Sequence, residues 1–146
     1  MLIKSIPDFC LQYDELLGLL RLEWISAGDT HTLQHSATQL LLLAQTLRVQ
    51  VLLLDMNTVP NISIDDELWL GTHWMPGIVQ LPLRHLVLTI DGSQVHNQLV
   101  VDALHDLVQP AIHFESHYFP TPEAALEYFA EGTNRLPQLL AEWRAR

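Results

Sequence analysis

The chain has 146 residues, enough for one domain with one core, and a domain near that size buries roughly 70% of its unfolded surface without help from disulfides or metal. Lys plus Arg number 7 against 17 Asp plus Glu, a formal charge of -10, which repels phosphate backbones and argues against nucleic acid as a partner. The only cysteine, Cys10, cannot pair within the chain or build a thiolate cage, and this fits a reducing, cytoplasmic setting.

The opening residues MLIKSIPDFC contain no apolar core of signal-peptide length, and the longest purely aliphatic run is Leu40 to Ala44. Both fall far short of the roughly 20 residues that cross a bilayer, so no membrane insertion is expected. No repeat or low-complexity segment divides the chain. The expected division is an α/β domain over 1-132 and a C-terminal tail over 133-146.

In chain order, Leu20, Leu22 and Trp24 alternate with Arg21 and Glu23, a period of two that predicts a strand paired as a hairpin with one near Phe9 to Tyr13. Thr30 to Leu47 places Leu33, Ala37, Leu40, Leu41, Ala44 and Leu47 along one helical stripe, with Asp29 and Thr30 as cap candidates. VQVLLLD, residues 49 to 55, is an almost continuous aliphatic run of the kind that parallel sheets bury on both faces, and it is expected at the sheet centre.

Ile64, Leu68, Gly71, Thr72 and Met75 predict a second helix that Pro76-Gly77 should stop. RHLVLTI, residues 84 to 90, predicts another buried strand. The Asp91-Gly92-Ser93 turn is then expected to cap a helix containing Leu99, Val100, Ala103, Leu104 and Leu107. AIHFESHYF, residues 111 to 119, predicts a last strand, followed by a helix with Pro122 at its first position. The tail carries Leu136, Leu139, Leu140 and Trp143 at helical spacing and must dock on its own domain or a neighbour. The fold class that follows is α/β: a single mixed sheet of about five strands, an opening β-hairpin then βαβ units, packed with about four helices.

This order, and the pieces YDELLGLLRLEW, ISIDDELWL, THWMP and YFPTPEAALEYF, resemble the STAS-like domains related to anti-sigma factor antagonists, from about Asp8 to Phe129. The resemblance implies a regulatory module that binds protein. Phospho-switched members of that group carry a D-S-S-G turn whose serine is phosphorylated at a helix start. Here the chain reads Asn61-Ile62-Ser63-Ile64, with Asp65, Asp66 and Glu67 crowding the same turn. Ser63 is the position a phospho-switch would use, but a phosphate there would meet like charge. An N-cap is the expected role, with Asp66 three residues on.

Among residues that carry chemistry, His113, Glu115 and His117 alternate along the last strand and share a face, the sharpest metal candidates available. With Ile112, Phe114 and Tyr118 on the other face, the ordinary polar-outward pattern of a half-exposed strand already explains them, and no metal site is expected. His31 and His35 lie four apart beside Asp29 without an evident third ligand, and Cys10 has no local activating motif. No G-x-S-x-G, P-loop or G-x-G-x-x-G is present, and no cofactor is implied.

Helical geometry turns Leu42 and Trp69 away from the expected core stripes, the pattern of an association surface. The leading expectation is a non-catalytic STAS-like module without the phospho-serine switch. It binds a protein, with self-association as one form, through Leu42, Trp69, His73, Trp74, Leu136, Leu140 and Trp143. The alternative is a small-molecule or metal-binding protein that uses a cleft beside the sheet.

Overall fold

The alternation in LRLEW is that of a hairpin arm: β2 (Phe9–Asp14) and β3 (Leu19–Trp24) pair antiparallel with Leu11 opposite Leu22 in a computed structural model that describes all residues from 1 to 146. Gly18 closes the turn with φ +61, a left-handed conformation that glycine adopts without strain, and its carbonyl accepts from the amides of Gln50 and Val51. A short strand not read from the sequence, β1 (Leu2–Ile3), adds to the outer edge of β2. Two residues are too few to show a period.

Three parallel steps complete the sheet: β3 to β4 (Val51–Asp55), β4 to β5 (His85–Thr89), and β5 to β6 (Glu115–Phe119). The six-stranded mixed sheet has the order β1-β2-β3-β4-β5-β6. All five residues of β4 are buried and it has a hydrogen-bonded neighbour on each side. VLLLD is thus the interior strand its composition demands.

Because consecutive right-handed crossovers advance in one direction, the helices of the parallel units fall on one face. That face holds α1 (Leu33–Leu47), α2 (Ile64–Trp69), α3 (Met75–Gln80) and α4 (Val95–Val108), which bury Leu20, Leu22, Leu52, Leu54, Leu86 and Leu88. The opposite face is covered by α5 (Pro122–Phe129) and α6 (Leu136–Arg144), whose Ala125, Leu126 and Leu139 pack on Leu19, Val51, Leu53 and Val87.

The tail therefore docks on its own domain. Gln12 Nε2 donates to the Leu139 carbonyl at 2.9 Å, Arg135 pairs with Asp14, and Trp143 is buried.

Several local expectations change. Pro76-Gly77 does not stop the second helix. A π turn over Leu70–Trp74 widens the helix just ahead of Pro76, so its ring and missing N–H are accommodated, and α2 and α3 continue as one helical element. Gly77 lies against the Leu41 side chain of α1, an approach that a larger residue would block.

The buried face of this element is Asp66, Leu70, Trp74, Met75 and Ile78; Ile64 and Leu68, expected in the core, are 81% and 66% exposed. Leu99, Ala103 and Leu107 likewise lie off the buried face of α4, which is Asn97, Val100 and Val101. Asp29 and Thr30 do not cap α1: Asp29 accepts from the His31 amide, and Thr30 Oγ1 donates to Asp66 at 2.8 Å. Ser63 is an N-cap, its Oγ accepting from the Asp66 amide at 3.1 Å, and Thr121 caps α5 with Pro122 behind it.

Two buried polar side chains hold the helical face in register. Asn97 is fully buried; its Oδ1 accepts from the Ile62 amide at 3.0 Å and its Nδ2 donates to the carbonyls of Val59 and Pro60. Asn97→Ala leaves these main-chain groups unpaired in the interior. It is expected to lower unfolding stability by about 3 kcal/mol in urea titration, with secondary structure retained.

Asp8 accepts from the hydroxyls of Ser26 and Ser36 at 2.5 Å and of Thr32 at 2.6 Å, tying the start of β2 to the start of α1. Burial pushes its carboxyl up, but the hydroxyls of Ser26, Ser36 and Thr32 and the charge of His31 together hold it below the usual carboxylate range. A carboxyl lowered in the folded state stabilises above its unfolded value, near pH ~3.9, and loses that contribution as pH falls through its folded value. Asp8→Asn is therefore expected to be less stable than the native chain at pH 7, by about 1–2 kcal/mol. In urea titrations repeated downward from pH 7, the gap should narrow only below about pH 4.

Candidate functional site

The apolar face of the sheet and the helices above it do not close completely. Between them lies a chamber of about 120 Å³ with 21 lining residues, 20 of them hydrophobic; His105 is the exception. Its floor is built from the sheet positions that alternation turns to this side, among them Leu22, Trp24, Leu54 and Leu88, and its roof from Ala37, Trp74 and Val101. Trp74 Nε1 donates to the Ala37 carbonyl and Trp24 Nε1 to the Ser26 carbonyl, each at 2.7 Å. Neither indole brings an unpaired donor to the lining, so the walls offer shape and dispersion rather than hydrogen bonds.

The chamber is partly open, and its exposed lining is apolar, so the uncovered side chains lack the contacts that a filled core would give them. Cavities of about 150 Å³ lined by Leu, Ile and Phe stay dry and take up benzene or xenon.

Outside the chamber, α2 and α4 each carry exposed apolar side chains. His96 Nε2 lies 2.7 Å from the Ile62 carbonyl and joins the two elements. Ile64 and Leu68 on α2, and Val95, Leu99 and Leu107 on α4, are all more than half exposed. Of these two helices α4 also lines the chamber, through Val100, Val101, Leu104, His105 and Val108, while its Val95, Leu99 and Leu107 face solvent.

The sequence-derived contact residues divide. Leu42 is exposed on α1, and Trp69 is partly buried against the core with its ring stacked on the exposed His73. Trp74 is a core residue, 8% exposed, and so is Trp143, 6% exposed; burial removes both from any contact surface. Leu136 and Leu140 pack on the second core. Trp143 lies over the guanidinium of Arg21 at 3.7 Å and beneath that of Arg146 at 4.2 Å.

Arg21 is itself buried, with Glu123 at 3.9 Å as its carboxylate neighbour; burial lowers its ordinary value, opposed by Glu123, Glu23 and Asp55. An aromatic face is a favourable cover for a desolvated cation, which explains why the tail carries a tryptophan here.

The metal candidates are rearranged. His113 precedes β6 and its Nε2 lies 3.1 Å from the Leu81 carbonyl, apart from the other two. His85 takes its place: β5 and β6 pair with His85 opposite Glu115 and Val87 opposite His117, so alternation turns all three donor side chains to the α5 side. His85 Nδ1 and His117 Nε2 are 2.9 Å apart, and Glu115 Oε2 lies 3.7 and 3.6 Å from them. Phe129 of α5 packs edge-on against both imidazoles, with ring centroids at 5.1 and 5.3 Å. Burial, and then the neighbouring His117 ring, hold the His85 imidazole below its usual value despite the opposing pull of Glu115.

His31 and His35 gather no third ligand: the His31 ring faces Asp29, at 2.5 Å, on the exposed approach to α1. Cys10 is buried in β2. No helix is long and apolar enough to cross a membrane.

Sequence reasoning missed the chamber because a void is a property of packing, and it missed His85 because the partner of a strand is not written in its own alternation. Comparison with protein-family models, with curated proteins and with solved structures returned no match.

Proposed function

We propose that the chain is a non-catalytic, STAS-like binding module that holds a small apolar molecule between its sheet and the helices α1, α2–α3 and α4. The carrying observation is the chamber of about 120 Å³ whose lining is hydrophobic but for His105. A ligand there removes apolar lining from water and supplies the dispersion contacts that the lining side chains lack. The sheet order never reverses, so the molecule lacks the switch-point crevice where open α/β sheets receive nucleotides. Ser63 acts through its N-cap hydrogen bond, which favours a module without a phospho-serine switch.

A second reading, docking of a protein partner, is favoured by the exposed Ile64, Leu68, Leu99 and Leu107 on α2 and α4. Apolar side chains grouped on a surface gain by burial against a partner. The two readings are compatible, since α4 lines the chamber with Val100, Val101 and Leu104 and presents Leu99 and Leu107 to solvent.

Benzene or xenon, titrated into the purified chain, tests the first reading. At saturation the thermal midpoint is expected to rise by about 5–10 °C, with a change in the emission of Trp24 and Trp74, which line the chamber. Ala37→Leu fills the space from α1; it is expected to abolish both responses while the chain stays folded. A native chain that responds to neither gas nor hydrocarbon, or an Ala37→Leu variant that responds equally, overturns the proposal.

A further inference from the structure

On the opposite side of the sheet from the chamber, we propose that His85, Glu115 and His117 form a binding site for a divalent ion of the zinc class, open to solvent on one side. The argument is geometric. The three donors are fixed by strand register rather than by a loop: His85 and Glu115 face each other across β5 and β6, and His117 follows Glu115 by one period of the strand. Donor separations of 2.9, 3.6 and 3.7 Å define a triangle. The point equidistant from its corners lies about 2.0 Å from each, the distance at which Zn²⁺ takes imidazole nitrogen and carboxylate oxygen.

The donor set of two imidazoles and one carboxylate suits zinc, cobalt, nickel or copper, and not magnesium or calcium, which take oxygen cages. Tetrahedral coordination requires the two nitrogens to part to about 3.3 Å. A small rotation of either ring supplies that, and Glu115, 74% exposed at its side chain, follows without repacking.

The surroundings complete the site on one side only. The ring of Phe129 stands against both imidazoles and that of Tyr128 against His117, at 5.8 Å, so aromatic packing fixes the ring planes. Toward Glu115 the site faces solvent, which leaves water as the remaining ligand. Three protein ligands and an open position is the pattern of zinc sites that exchange ligands rather than of closed structural ones.

The site shares no residue with the apolar chamber, so its success or failure leaves the ligand-binding reading untouched.

Calorimetric titration of the full chain, prepared without a histidine tag and stripped with chelator, tests the proposal with zinc chloride as the probe. One ion per chain is expected, with no heat from magnesium chloride. Cobalt(II) in place of zinc is expected to give visible absorption bands that identify nitrogen and oxygen coordination below six ligands. His117→Ala and His85→Ala are each expected to lose stoichiometric binding. Glu115→Gln, at an exposed position, is expected to weaken binding at least 10-fold while circular dichroism is unchanged. His113→Ala and His31→Ala together are expected to bind as the native chain does. Absence of stoichiometric zinc binding in the native chain overturns the proposal. So does binding that survives Glu115→Gln and His117→Ala, or that disappears with His113→Ala and His31→Ala.

Discussion

The constraint on which the rest of the molecule depends is a strand order that never turns back. Each parallel step, from β3 through β6, adds the next strand to the same growing edge, and right-handed connections of that kind must all run over one face. Three helical units therefore share one side of the sheet, and that side has to be apolar throughout. Leu20, Leu22, Leu52, Leu54, Leu86 and Leu88 make it so. The other side is left for whatever follows the last strand, which is α5 and α6. The two faces carry different chemistry because the connections cover them differently.

Covering a six-stranded twisted sheet from one side with three helical units is a packing problem, and the chamber is where the solution is incomplete. The middle unit shows how it is met. Its inward residues are Asp66, Leu70, Trp74, Met75 and Ile78, and all but Met75 stand in a row with a spacing of four. An α-helix of 3.6 residues per turn would carry such a row about 40° around its axis at each step. The π turn at Leu70–Trp74 widens the helix and slows that drift, so Leu70 and Trp74 both reach the chamber wall. It also lets the chain pass Pro76 without breaking. Helices with this irregularity are frequent beside binding sites, where a side chain has to be aimed away from its α-helical direction.

Much of the architecture was legible in the sequence, for reasons that can be named residue by residue. VLLLD is apolar at its first four positions because β4 has neighbours on both edges and layers on both faces, and Ser63 and Thr121-Pro122 mark helix starts through local chemistry alone. Where local rules met tertiary geometry they failed. Ile64 and Leu68 fit a helical stripe of mixed three and four spacing, whereas the π turn selected the row of four beginning at Asp66, a residue whose charge argued for solvent. Asp66 is buried because Thr30 and Gln34 of the α1 segment donate to it. Trp74 and Trp143 read as contact anchors because tryptophan is common at interfaces; one closes the core through the Ala37 carbonyl and the other covers Arg21. His113, Glu115 and His117 read as a set from their own strand, but a donor set is assembled across strands, and register brought in His85 and left His113 behind.

The polar side of the sheet is the more informative about chemistry. A sheet face covered by only two helices need not be apolar across its width, and the row Gln12, Arg21, Leu53, Val87, His117 crosses from polar to apolar and back. At the β2–β3 end the polar groups are sealed by α6: Gln12 by the Leu139 carbonyl, Arg21 by the Trp143 ring. The Trp143 face and the Glu123 carboxylate at 3.9 Å offset only part of the cost of burying Arg21, whose Nε and Nη1 have no hydrogen-bond partner. At the β5–β6 end α5 supplies only aromatic rings, and the imidazoles of His85 and His117 answer each other and a solvent-facing carboxylate. The same layer of two helices thus closes one polar cluster and leaves the other open. An open cluster of nitrogen donors held in register by two strands is a place where an ion, rather than a side chain, completes the coordination.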